Sequence, residues 1–307
     1  MSRTWFSKGL KGMIARRIQS DLLRQGFAAG PVDKFVDGDF GRNTDSALRA
    51  LQQACSLPAS GAVDAATWAQ LTPDPLPTLF ERCLSLTAAF EGHGFGLVQG
   101  NFDGAGLTWG VIGFTLSHRQ IQAITADAQA AEPGLLSRCF EALAPEWQRV
   151  CAKPLAQQLV WANSISIGPS KTGVRADWLR AFARLGNEPV IKRIQMQRAY
   201  DKYFVPAAAS ARRLGLKSEV GLALAFDVHV QNGGFKPDAF ELASRLPAST
   251  PESQRRLVLA NAVADSASTR WQADVRERKT SVARAEGRVH GASYTLAAWG
   301  LDETAAA

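Results

Sequence analysis

Within FEGHGFGLVQGNFDGAGLTWGVIGF, residues 90–114, two carboxylates, Glu91 and Asp103, stand among glycines and large apolar side chains. Their settings differ. Leu84, Thr87 and Ala88 fall seven, four and three positions before Glu91, so a helix places Glu91 on or beside an apolar stripe. Burial and the negative end of the helix both disfavour its charged form, as suits a general acid. Asp103 lies in an Asp-Gly-Ala-Gly turn, where water and backbone N–H groups keep it ionised. Two carboxyl groups in contrasting environments are what hydrolysis of a glycosidic bond requires. Taken alone, Asp103 reads equally as a common turn residue.

Other chemistries fit poorly. The glycines follow a helix and lead into a strand, the reverse of a dinucleotide loop, and no GxxxxGK[ST] motif occurs. His93, His118, His229 and His290 are dispersed, so no metal site and no cofactor are expected. A serine nucleophile elbow is missing.

The elements that must hold the two carboxylates are mainly helical. Apolar periodicity predicts helices over Leu79 to Phe90, Arg119 to Ala131, Leu135 to Ala142, Leu155 to Asn163, Asp177 to Leu185, Glu188 to Tyr203, Pro206 to Leu214, Glu219 to Val230 and Glu252 to Arg278. Only GFGLVQGNF and LTWGVIGF, joined by DGAG, read as a small hairpin. Glycines there would let a ligand approach the backbone. Pro73, Pro75 and Pro77 mark residues 73–77 as a linker between a small domain, 1–72, and a large one, 78–307. The small domain reads as three helices: Met13 to Gln25, Thr44 to Cys55 capped by Asn43 or Thr44, and Ala65 to Leu71 capped by Asp64. Its two Gly/Asp turns, VDGDFG and SGAVDAATW, each lead into a helix and suggest an internal repeat.

Over 307 residues the formal net charge is +7, which suits an anionic partner, but no basic block reads as a nucleic-acid arm. Cys55, Cys83, Cys139 and Cys151 are scattered, with no CxxC pair, and read as free thiols. The N-terminus has no apolar run of signal-peptide length, and no stretch is long and apolar enough to span a bilayer. Synthesis in the cytoplasm is expected, with no stable membrane insertion and no nucleic acid as partner.

The small domain resembles the three-helix peptidoglycan-binding domain of bacterial wall hydrolases and phage endolysins. Val36-Asp37-Gly38-Asp39-Phe40-Gly41, Thr44, Leu51-Gln52, Gly61, Val63, Thr67-Trp68 and Leu71 carry the likeness, and Asp64 replaces a usual glycine. The resemblance implies glycan contacts at Asp39, Phe40, Thr44 and Gln52. Glu91 with Asp103-Gly104-Ala105-Gly106-Leu107-Thr108-Trp109-Gly110-Val111-Ile112-Gly113-Phe114 resembles the catalytic segment of the family 46 chitosanases, within the lysozyme-like superfamily. Residues 198–206 and 221–230 extend the likeness. It implies a two-lobed lysozyme-like α domain, with Glu91 as general acid, Asp103 as base of an inverting mechanism and Thr108 positioning the water. It also implies catalytic support from Asp227 paired with Arg278 or Arg284.

Two departures stand out: Ala105 takes the place of a family arginine, and the segment between the carboxylates is shorter. The C-terminal stretch from Ala283 to Leu301 matches poorly, its Arg, Gly and Tyr reading as groove-shaping and its Trp299 as core. Positive charge helps on an anionic wall and hinders on cationic chitosan. The expectation is therefore a monomeric muramidase acting on bacterial peptidoglycan and causing lysis, with a chitosanase or chitinase-like hydrolase, or an inactive wall-binding scaffold, as alternatives. Release by a holin, as in an endolysin, or injection as a secreted effector with an immunity protein, would bring it to the periplasm and wall.

Overall fold

The computed structural model describes residues 3–92 and 94–306. His93, weighed above as a metal ligand, lies outside the described residues, as do the outer bounds Met1 and Ala307. The chain forms two compact units, Met1–Phe90 with Asp201–Ala307, and Glu91–Tyr200.

In the first unit, α1 (Met13–Arg24) buries Ile14, Ala15, Ile18 and Leu22 at helical spacing. It ends where Gly26 N–H donates to Leu23 O and Phe27 N–H to Leu22 O, the paired bonds of a left-handed glycine stop. A single turn, α2 (Val32–Phe35), follows, then α3 (Arg42–Ala54) and α4 (Ala65–Leu71). Asp64 caps α4 as predicted, accepting from Thr67 N–H at 2.8 Å. Neither Asn43 nor Thr44 caps α3, which starts two residues earlier behind Gly41.

The repeat is physical. The Gln19 amide accepts from Gly38 N–H (2.8 Å) and donates to Asp39 O (3.0 Å) and Thr44 Oγ1 (3.0 Å). Gln52 does the same one copy later, accepting from Gly61 N–H (3.0 Å) and donating to Ala62 O (2.8 Å) and Thr67 Oγ1 (3.1 Å). Gly38 and Gly61 have φ of 81° and 71°, a conformation that strains other residues. Each glutamine thus ties a turn to the threonine of the helix that follows it.

Residues 3–12 fasten this three-helix region to the rest of its unit. They pair with it through the bridges Phe6↔Val63 and Lys11↔Asp39. On the other side Arg3 bonds Glu219 and Gly300 O, and Arg82 forms a two-pronged pair with the same Glu219 at 2.8 and 2.9 Å. Trp5 lies beneath both guanidinium groups, at 4.2 Å from Arg3 and 5.0 Å from Arg82. Arg82 and Glu219 are almost wholly buried, so each charge depends on the other.

Thr78 and Glu81 form a reciprocal capping box at the start of α5 (Leu79–Glu91): Glu81 Oε2 accepts from Thr78 N–H at 2.7 Å and Thr78 Oγ1 from Glu81 N–H at 3.3 Å. The helix then crosses into the second unit. There β1 (Val98–Gln99), β2 (Thr108–Trp109) and β3 (Phe114–Thr115) form an antiparallel sheet in that order. Helices α6 (Gln120–Ala131), α7 (Leu135–Phe140), α8 (Ala144–Cys151) and α9 (Leu155–Ile165) follow, then the strand pair β4 (Ser166–Ile167) and β5 (Gly173–Val174), and α10 (Ala176–Asn187) and α11 (Pro189–Ala199). The core is aromatic: Phe140, Trp147, Trp178 and Phe182 pack ring to ring. Trp109 reaches this cluster through Phe182, 5.4 Å between centroids, and donates to Phe182 O.

The chain leaves through a π-helical turn, Tyr200–Phe204, back into the first unit. There α12 (Val205–Arg213), α13 (Glu219–Asn232), α14 (Pro237–Arg245), α15 (Glu252–Asp265) and α16 (Gln272–Ala283) precede the hairpin of β6 (Glu286–Val289) and β7 (Ala292–Thr295). Helix α13 is buried from Glu219 to Val228. The protein is mainly α, as predicted, with four corrections. The single helix over 252–278 is two, parted at residues 266–271, and the helix over 188–203 is interrupted by the π turn. Helices α2, α8 and α14 were not foreseen. The one hairpin expected becomes a three-stranded sheet plus two strand pairs. Trp299 is core as expected, but Tyr294 is too, stacked on Trp299 and edge-on to Phe90 at 4.8 Å.

Candidate active site

Glu91 is the last residue of α5, and Gly92 at φ 64° ends the helix behind it. The side chain is half-buried. One turn earlier on the same helix, Thr87 is fully buried and donates to Asp227 Oδ1 at 3.1 Å. Asp227, on α13, also receives Arg278 Nη2 at 2.7 Å, Arg278 Nε at 3.0 Å and the Lys279 ammonium. Asp227, Arg278 and Lys279 are 0–1% exposed. Burial alone would raise the Asp227 pKa, but Arg278 and Lys279 outweigh it and hold the carboxyl well below the usual range. The Arg278 guanidinium also lies 5.0 Å over the ring of Phe90, which immediately precedes Glu91. The end of α5 is therefore anchored by a buried ionic cluster within the first unit.

Of the two arginines expected beside Asp227, Arg278 is its partner. Arg284 is not: it lies exposed just past the end of α16. The second cation is Lys279, which sequence reasoning missed.

Asp103 stands at an exposed loop tip between β1 and β2. Its Oδ1 accepts from Ala105 N–H at 2.9 Å, and Asn101 Oδ1 closes the loop by accepting from Gly106 N–H at 2.8 Å. The loop is thus self-supporting, and the carboxylate meets water. Few of the glycines here leave room for a ligand. A Cβ at Gly100 would collide with Lys171 O and one at Gly110 with the Gln195 amide, whereas Gly104, beside Asp103, faces open space.

Strand register places Thr108. It pairs with Gln99 on one side and Thr115 on the other, while Val98, Trp109 and Phe114 form the parallel row. Directly opposed residues share a face. The Val98–Trp109–Phe114 row is buried, so Gln99, Thr108 and Thr115 form a polar row on the other face. Among the described residues the Thr108 hydroxyl has no hydrogen-bond partner in the protein. Thr115 Oγ1 lies 2.7 Å from His118 Nδ1. This row was invisible in sequence, because it exists only once three strands are aligned.

The glycan contacts expected in the three-helix region need correction. Phe40, Thr44 and Gln52 are 0–1% exposed. Thr44 and Gln52 serve the turn clamps, and Phe40 is core. Of the four, only Asp39 is exposed.

No group of His, Cys, Asp and Glu among the described residues could hold a metal ion, and no helix there is long and apolar enough to cross a membrane. The four cysteines are free thiols, and burial pushes Cys151 up to about 11.

Residues 14–71 match the peptidoglycan binding domain family, and residues 87–254 match glycosyl hydrolase family 46. The second match covers more than half of the chain and ends before Arg278 and Lys279. No curated protein matches. Among solved structures, a mutant chitosanase from Bacillus subtilis in complex with 6 GlcN is 17% identical, with a TM-score of 0.49 over 72% of this chain and 100% of that one. A chitosanase from Gynuella sunshinyii in complex with chitotetraose is 19% identical, with a TM-score of 0.47 over 69% and 88%.

Proposed function

The chain belongs to glycosyl hydrolase family 46 and is a glycoside hydrolase carrying a peptidoglycan-binding segment, and we propose that it cleaves the glycan strands of bacterial peptidoglycan as a muramidase. The observation that carries this reading is the wall-binding match over residues 14–71, joined in one chain to the hydrolase. A net charge of +7 supports it, since the wall is anionic and chitosan cationic.

In this mechanism Glu91 donates its proton to the glycosidic oxygen as the bond to the anomeric carbon breaks. Asp103 takes a proton from a water whose oxygen attacks that carbon from the opposite face. The Thr108 hydroxyl, without a hydrogen-bond partner among the described residues, supplies a hydrogen bond to that water. The carboxylate's exposed, self-supporting loop suits a base that must stay ionised. Asp227, Arg278, Lys279 and Thr87 touch no substrate in this scheme; they fix the helix end from which Glu91 projects.

The wall-binding region would hold the enzyme on its polymer and raise the local concentration of cleavable bonds. Action in the periplasm or wall, after release by a holin or a secretion system, follows as part of the same proposal, with lysis as its outcome. The resemblance of the Asp103–Phe114 segment to chitosanases supports a second reading, hydrolysis of chitosan.

The two readings separate on purified substrates. Glu91→Gln is expected to abolish clearing of purified peptidoglycan while the variant still sediments with it. Mass spectrometry of the parent's products should show reducing muramic ends. Cleavage of chitosan without any release from peptidoglycan would overturn the muramidase reading, and clearing by Glu91→Gln would remove Glu91 as the acid.

A further inference from the structure

The two turn clamps of the three-helix region differ by an insertion. From glutamine to glycine the first copy spans 38 − 19 = 19 positions and the second 61 − 52 = 9. From glycine to threonine both span six (44 − 38 and 67 − 61). Both clamps close with the same set of bonds. The second copy shows that this architecture forms without the additional ten residues, so the insertion is not needed to close the turn. In repeat proteins such extra segments gather on the binding face.

The insertion consists of the residues around FAAGPVDKFV, 27–36, and includes α2. Its composition is unusual for a surface loop, and no residue of α2 is buried. Val32 is 64% exposed, Pro31 is exposed, and Phe27 and Phe35 are half-buried. Both ends are tied down: Phe27 N–H donates to Leu22 O at 2.9 Å, and Val36 O accepts from Arg16 Nη1 at 2.8 Å. An apolar surface held in place but left uncovered is arranged for a ligand rather than for the core. Exposed Lys34 and Asp33 flank it.

We propose that this insertion is the wall-glycan contact of the chain, with Phe27, Pro31, Val32 and Phe35 forming an apolar plate against the faces of N-acetylated sugars and Lys34 meeting a carboxylate of the wall. It takes the place of the buried Phe40, Thr44 and Gln52, and it rests on the peptidoglycan reading above. A sugar ring offers axial C–H groups to such a plate, and the acetamido methyl adds apolar area. The methyl favours N-acetylated sugars over glucosamine, whose ring offers the same C–H face.

The test is sedimentation of the full-length protein with purified peptidoglycan over a range of wall concentrations. Val32→Asp changes an exposed position and should preserve the melting temperature; Phe35→Ser is the second variant. Each is expected to raise the half-saturating wall concentration about tenfold, the effect of removing one apolar contact from a weak site. Gln53→Ala, at an exposed position of α3, should leave it unchanged. If Val32→Asp and Phe35→Ser bind as the parent does, or if Gln53→Ala weakens binding as much as they do, the insertion is not the site. If the parent itself does not sediment with peptidoglycan, the wall reading fails and this inference with it.

Discussion

Asp103 and Asp227 carry the same side chain under opposite conditions. Asp103 sits at an exposed loop tip with one oxygen engaged by its own backbone, whereas Asp227 is enclosed and receives Arg278, Lys279 and Thr87. A fully satisfied buried carboxylate has no capacity left for a proton or a water. An exposed one held by a single N–H keeps an oxygen available. Strong partners therefore mark the residue that builds the scaffold, and their scarcity marks the one suited to chemistry.

Substitution should break this contrast in opposite ways. Asp103→Asn, which removes the proposed base, is expected to lower kcat on the proposed substrate, peptidoglycan, by about 10²–10⁴-fold with no change in melting temperature. Asp227→Asn leaves two buried cations without their counter-charge and should cost about 3–5 kcal/mol of stability, read by denaturant unfolding. The wild-type contribution of Asp227 depends on acid in a definite sense. Its folded pKa is depressed, so the stability is present above its unfolded value of about 3.9 and fades as pH falls below that. A stability gap between the parent and Asp227→Asn that stays constant as pH falls below about 3.9 would remove this role. Thr108→Val should have the smallest effect, about a tenfold loss in kcat with KM unchanged, consistent with one hydrogen bond to a water. An equal loss of stability would make Thr108 merely structural.

Much of this architecture was legible where local signals suffice. Ala65–Leu71 and its Asp64 cap were read to the residue, because the cap and the apolar spacing lie within a few positions. The buried stripe of α5 beside Glu91 was read from Leu84, Thr87 and Ala88, all three of them buried. The break at 266–271 was missed because SASTRW contains neither glycine nor proline. Lys279 was missed because a buried lysine is recognisable only with its counter-ion, here 52 positions away. Phe40 was misread for the converse reason: its turn motif is visible, but the direction of its ring into the core is not.

One feature of the first unit bears on how force travels. Residues 3–12 and residues 73–77 attach the three-helix region at both ends of its own sequence, the former through Arg3, Trp5 and the Arg82–Glu219 pair. A single tether would let the region pivot like a buoy on a line. Two moorings resist that rotation, so a pull on the three-helix region would reach α5 and α13 together, with the Arg82–Glu219 pair as its bearing.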